Sequence, residues 1–143
     1  MKKFILSAIL FLILENFSYA LIQVDITRGN LDPLPIAISP LHVDTESTEV
    51  IKVNDQEINV GSEISKIIEN NFKNSGLFYP LNNESFVQKP DIAHLKPRFE
   101  DWRLIKAQAL VTGKLLVKND KLKVEFRLWD LTAAQEMTAL AFT

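Results

Sequence analysis

"ALVTGKLLVKNDKLKVEFRLWDLTAAQEMTALAFT", residues 109–143, decides the fold. Ala109–Lys118 is an apolar, β-prone run that stops at Asn119-Asp120. Lys121–Leu131 is a second run that stops at Thr132-Ala133-Ala134, and Gln135–Thr143 is a third. Runs of strand composition separated by short turn signals predict three consecutive antiparallel strands, a meander. In the middle run Leu122, Val124, Phe126 and Leu128 alternate with Lys121, Lys123, Glu125, Arg127 and Trp129. Successive strand side chains point to opposite faces, so the alternation predicts one core face and one wet face.

A sheet that is apolar on one side needs a cover, and a helix stands upstream to supply it. Gly61-Ser62 offers an N-cap, and Glu63 places a negative charge in the first turn, where the helix dipole favours it. Ile64, Ile67, Ile68 and Phe72 then recur at helical spacing as one buried stripe, with Lys66, Glu69, Asn70 and Lys73 facing away. Ser75-Gly76 reads as the stop, the glycine taking the left-handed C-cap position. Leu77 and Phe78 are expected to continue the core, and Tyr79-Pro80-Leu81 to leave as extended chain. Residues 82–98 read as irregular loop. From Arg98 to Ala107, Phe99, Trp102 and Ile105 recur every third residue, the mark of a second short amphipathic helix.

Ahead of the helix, "LPIAISPL" carries a short strand over Ile36–Ser39, bracketed by Pro35 and Pro40. The acidic stretch 44–60 reads as a loop with a small hairpin, "VIKV" and "EINV" flanking Asn54-Asp55-Gln56. The expected architecture is therefore α+β: a mixed β-sheet with a C-terminal antiparallel meander and two helices packed on one face.

The first twenty residues are read separately. Lys2 and Lys3 precede an unbroken apolar run, Phe4–Leu14, and Ser18 and Ala20 put small residues at the minus-three and minus-one positions of a processing site. At 1.5 Å per helical residue this run falls short of roughly 30 Å of hydrocarbon, so a cleaved secretory signal is expected over 1–20, with no permanent membrane anchor. Cleavage falls between Ala20 and Leu21 and leaves one domain, 21–143. Removing Lys2, Lys3 and Glu15, together +1, from the formal charge of −2 leaves −3, which offers no general attraction to phosphate; no nucleic acid partner is expected. The chain has no cysteine, so its stability rests on packing. The new N-terminus, Leu21, Ile22, Gln23, Val24, Asp25, Ile26 and Thr27, alternates apolar and polar residues as a half-buried or edge strand does.

Catalytic chemistry finds little footing. His42 and His94 lie far apart in sequence, each without a neighbour at metal-ligand spacing. Gly29, Gly61, Gly76 and Gly113 form no phosphate-cradling loop. Asp44, Glu46 and Glu49 sit in the most polar stretch, where solvated carboxylates keep ordinary pKa values. Lys114, Lys118, Lys121, Lys123 and Arg127 gather positive charge on the meander, diluted by Glu125 and Asp130. No enzyme, no cofactor and no metal site is expected.

The order of these pieces resembles a known family. "LIQVDIT", "PIAISPL", the helix end "IIENNFKNSGLFYPL" and "WRLIKAQALVTGKL" through "DKLKVEFRLWDL" together look like the N-terminal domain of the TolB proteins of the periplasmic Tol-Pal system. The resemblance spans residues 21–143, and the helix ending in Asn-Ser-Gly before large apolar residues and Pro is its most specific element. It implies a non-catalytic periplasmic interaction domain that supports outer-membrane integrity and envelope constriction during cell division.

It further implies that Leu21–Thr27 bind the C-terminal domain of TolA. A six-bladed β-propeller that binds the lipoprotein Pal follows in full-length members. No propeller repeat occurs within these residues, so a truncated or split member is expected, with Pal as a partner only where a propeller is supplied elsewhere. Two other readings stay open: an exported domain binding a small ligand or nucleic acid through residues such as Trp102, Trp129 and Lys123, and a fragment of a split gene without function.

Overall fold

In a computed structural model, which describes residues 32–47, 51–119 and 121–143, the meander forms as the sequence predicts. Its strands are Ala109–Lys118, Lys121–Asp130 and Gln135–Phe142, here β6, β7 and β8. Asn119 takes φ 53° and Ala134 φ 55°, the left-handed backbone that tight hairpin connections require. β6 and β7 pair without interruption from Ala109↔Asp130 to Lys118↔Lys121. The β7–β8 register shifts between Leu128 and Trp129, a bulge that leaves Glu136 opposite Trp129 and Thr138 opposite Leu128.

Three further strands make the sheet mixed. β1 (Leu34–Ile38) runs parallel to β6, Ile36 opposite Ala109, and parallel on its other side to β5 (Phe78–Pro80), Leu34 opposite Phe78. β2 (His42–Val43) rejoins β6 in parallel beyond Pro40, His42 opposite Lys114. The order is β5-β1-β6-β7-β8, with β2 continuing the line of β1 along β6. Strand β1 begins two residues earlier than expected and takes in Pro35 near its start. There the proline carbonyl accepts from the Gln108 amide at 2.9 Å, just ahead of the first residue of β6. The hairpin inside 44–60 is β3 (Lys52–Val53) and β4 (Gln56–Glu57), turned by Asn54 and Asp55 at φ 52° and 62°, a two-residue turn rather than three.

The helix α1 spans Val60–Ser75. Its cap is Asn59, whose Oδ1 accepts from the Ser62 amide at 3.0 Å; Gly61 and Ser62 fall inside the helix. Gly76 closes it at φ 71°, as the sequence predicts. Gly61 lies so close to the backbone of Leu41 that a Cβ there would stand 2.1 Å from the Leu41 carbonyl oxygen. Ser65, buried at the same crossing, donates through Oγ to the carbonyls of Gly61 (2.9 Å) and Ser39 (3.1 Å). The inward stripe is thus Gly61 and Ser65, both buried, with Ile64, Ile68 and Phe72 half-buried, while Ile67 is 60% exposed. At the corner that follows, Phe78 packs edge-on against Phe72 with centroids 4.6 Å apart. Leu77 does not continue the core; it is as exposed as Tyr79 beside it.

Between α1 and the meander lie α2 (Pro90–Ala93), preceded by a single 3₁₀ turn at Asn83–Ser85, and α3 (Phe99–Leu104). Strand alternation shows which face each helix covers. Ile36, Ile38, Ala109 and Val111 pack with Ile68 and Phe72 of α1, while Ala37 and Leu110 pack with Ala93, Trp102 and Trp129. The α+β mixed sheet stands as expected, but α1 and the pair α2–α3 cover opposite faces of it. The spacing of Phe99, Trp102 and Ile105 defines an apolar side of α3 and leaves open which sheet face it meets. Trp129, expected on the wet face, is correspondingly buried under Phe99, its Nε1 donating to Thr112 Oγ1 at 2.9 Å. The face opposite α1 is dry at the Trp129 end and wet at the Lys123 end.

Leu31–Thr143 make one compact unit. The expected signal peptide 1–20, its cleavage point at Ala20 and Leu21, and the expected partner strand Leu21, Ile22, Gln23, Val24, Asp25, Ile26 and Thr27 lie outside the described residues. Among the described residues no helix is long and apolar enough to cross a membrane.

Candidate functional site

Three surfaces of the described unit present chemistry. The first is apolar. β8 is exposed along its whole length, with Met137, Leu140 and Phe142 each more than half open to solvent. Between it and α1 runs a groove of about 320 Å³ lined by Ile68, Phe72, Val111, Phe126, Leu128 and Leu140, with Arg127 and Thr138. This is the α1 face of the sheet, where the alternation of β7 sets Phe126 and Leu128 beside Ile68 and Phe72 of the helix. Among the described residues β8 is the outer strand and presents backbone groups on its far side, and Glu136 is its single charged residue, already held by Arg127 at 2.7 Å.

The second surface is charged and lies on the opposite face, at the far end of β6 and β7. Lys123 reaches Glu125 at 2.9 Å, and Lys114 sits between Asp44 at 3.6 Å and Glu125 at 3.9 Å. The hydrogen bond from Lys123, helped by Lys114 and Arg127, holds the Glu125 carboxyl below its ordinary value. Asp44 is held low first by the backbone amide of Glu46, 3.0 Å from its Oδ1, and then by Lys114. These groups neutralise one another, so the patch offers no net field for a polyanion.

The third surface joins two residues that sequence spacing had separated. His42 on β2 and His94, next after α2, stack face to face, centroids 4.4 Å apart and planes within 6°. Burial, then the adjacent His94, lower the pKa of His42. Nothing in the sequence spacing announces the pair, because it arises from β2 pairing with β6 and from α2 packing on that same face. Among the described residues no group of three or more His, Cys, Asp or Glu side chains is placed to hold a metal ion.

Trp102 and Trp129, read as possible ligand contacts, both sit in the core. Trp102 is 1% exposed and its Nε1 donates to Gln88 Oε1 at 2.9 Å, where the Arg98 amide also donates, at 2.8 Å. Satisfied and enclosed, neither indole lines an open site. Lys123 stands apart from them, on the charged end of the sheet.

Comparison with known proteins places this fold. The profile of the TolB amino-terminal domain matches residues 22–137. The Tol-Pal system protein TolB of Pelagibacter ubique (strain HTCC1062) is 60% identical over 135 residues, 94% of this chain and 30% of that protein. The chain therefore spans under a third of the length of that curated relative. Among solved structures, TolB from Acinetobacter baumannii superposes with a TM-score of 0.57 at 17% identity, over 79% of this chain and 23% of the other. The C-terminal domain of LpoB from Salmonella enterica gives 0.55 at 9% identity, over 80% and 84%. The two superpositions show a shared fold, and the matched profile, covering most of the residues, carries the assignment: the chain belongs to the TolB amino-terminal domain family.

Proposed function

We propose that this chain is a non-catalytic, periplasmic interaction domain of the Tol-Pal system, whose segment Leu21–Thr27 pairs as a strand with the C-terminal domain of TolA. The observation that supports the reading is the match to the TolB amino-terminal domain over residues 22–137, which includes Ile22–Thr27 of the alternating segment. The sequence chemistry supports it. Ile22, Val24 and Ile26 would fill apolar pockets on one side, while the backbone hydrogen bonds of the added strand supply affinity that needs no catalytic group.

In this reading residues 1–20 are a signal peptide removed after Ala20, and 21–143 are the exported domain. The physiological output is outer-membrane integrity and envelope constriction at division. Pal is engaged only where a propeller accompanies the domain.

The test is a pull-down with the TolA C-terminal domain, comparing the exported chain with a variant lacking Leu21–Ile26. The expected result is loss of capture with an unchanged far-ultraviolet circular dichroism spectrum. Equal capture by both proteins would refute the reading.

A further inference from the structure

His42 and His94 bridge two lightly anchored pieces of the fold. β2 is a two-residue strand held to β6 at Lys114 and Leu115, and α2 is a single four-residue turn of helix whose buried anchor is Ala93. His94 Nδ1 lies 3.0 Å from the Pro90 carbonyl oxygen. A carbonyl only accepts, so Nδ1 carries the hydrogen and the ring's free lone pair is on Nε2.

The groups facing the pair come from four places. They are Asp44 just after β2, Asp91 on α2, Lys114 on β6 opposite His42, and Glu125 and Arg127 on β7, which with His94, Leu95, Gly113 and Lys114 line a cavity of about 130 Å³. The helix α1 is across the sheet, packed on Leu41 and Leu115 rather than on the alternating His42 and Lys114.

We propose that the His42–His94 stack is an acid-released latch: it holds the Pro90–Leu95 segment against β2 while the rings are uncharged and frees it once both are protonated. Two neutral imidazoles stack plane on plane at 4.4 Å without electrostatic cost, whereas two imidazolium ions at that separation repel. Lys114 adds a third positive charge on the same side, and Asp44 is already engaged with it at 3.6 Å. Asp44 and Asp91 both favour charge on His42, but burial and the facing His94 outweigh them. Burial first, and then the facing His94, lower the pKa of His42, so charging this ring inside the stack is disfavoured. Freed, Pro90–Leu95 uncovers the cavity walled by Lys114, Glu125 and Arg127, so acid changes which charges that face presents.

The experiment is an imidazole NMR titration of the chain from about pH 8 to about pH 4.5, joined to backbone amide exchange of Ile92, Ala93, His94 and Leu95. These amides donate to the carbonyls of Lys89, Lys89, Pro90 and Ile92, so they report the segment directly. The expected result has three parts. His42 titrates below the ordinary histidine value, its midpoint rises in His94→Asn, and protection of the four amides relative to β6 falls at least about tenfold on acidification in the native chain and stays constant in the variant. A His42 midpoint at the ordinary histidine value and unchanged in His94→Asn, or a constant protection ratio in the native chain, overturns the proposal. Should His94→Asn lose the near-ultraviolet signal of Trp102 and Trp129, His42→Asn makes the same comparison from the other side of the stack.

Discussion

Replacing Gly61 by Ala probes the crossing that fixes α1 on the sheet. The added Cβ would stand 2.1 Å from the Leu41 carbonyl oxygen and 3.1 Å from its carbon. Carbon and oxygen approach no closer than about 3.3 Å, so two backbones must separate by about 1 Å. Backbone cannot swing aside as a side chain can. The same separation stretches the Leu41 amide to Gly61 carbonyl bond, already 3.3 Å, and disturbs Ser65 Oγ, which spans Gly61 and Ser39.

Overpacking of this kind costs about 1–3 kcal/mol and a lost buried hydrogen bond about 1 kcal/mol; alanine's better helix propensity returns under about 1 kcal/mol in a first turn. The net loss is about 2 kcal/mol, or about 8 °C in Tm for a domain of this size. Gly76→Ala is the control. It has nothing within 4 Å of its Cβ and a φ of 71°, so the loss is the backbone term alone, about 1 kcal/mol. Thermal and urea unfolding followed by circular dichroism would rank the two variants. A Gly61→Ala protein as stable as the native chain, or less damaged than Gly76→Ala, would refute the close crossing.

Asn59→Ala removes the acceptor for the Ser62 amide and should cost about 1 kcal/mol in urea unfolding, whereas Ser62→Ala should be nearly silent. Trp129→Phe strands the hydroxyl of Thr112, 1% exposed, and should cost about 1–3 kcal/mol. Adding Thr112→Val should restore part of that loss, a coupling that a double-mutant cycle measures.

The pKa of His42 is lowered from 6.5, so between its folded and unfolded values the unfolded chain binds more protons. Stability is therefore full above pH 6.5 and declines as pH falls through that window, a slope that His42→Asn should flatten in urea midpoints. Asp44 and Glu125, both lowered, give a second loss starting below their ordinary values of 3.8 and 4.5, visible as a separate acid limb in the same measurement.

Local chemistry was legible in the sequence, and the non-local arrangement was not. Asn119, Gly76, the hairpin read around Asn54-Asp55-Gln56 and the Leu122–Leu128 alternation each announce a conformation through residues a few positions apart, and each forms in the structure, the hairpin turn being one residue shorter. The parallel pairing of β1 with both β5 and β6 depends on segments separated by a helix, and the three-residue strand Phe78–Pro80 carries too short a pattern to mark it. The alternation sets Trp129 on the correct side of β7 and cannot show its environment, because α3 covers that side from elsewhere in the chain. Periodicity likewise overextended the α1 stripe to Ile67, which lies at its margin and stays exposed. The histidine stack is the extreme case, since only the assembled sheet brings His42 and His94 together.

In the proposed function Leu21–Thr27 engage the TolA C-terminal domain by lending their backbone to its sheet. The decisive measurement is amide exchange of Ile22–Ile26 with and without that domain. These amides are expected to gain protection on complex formation while β6 and β7 exchange as before. Amides that exchange slowest of all in the free protein, and identically when TolA is added, would contradict it.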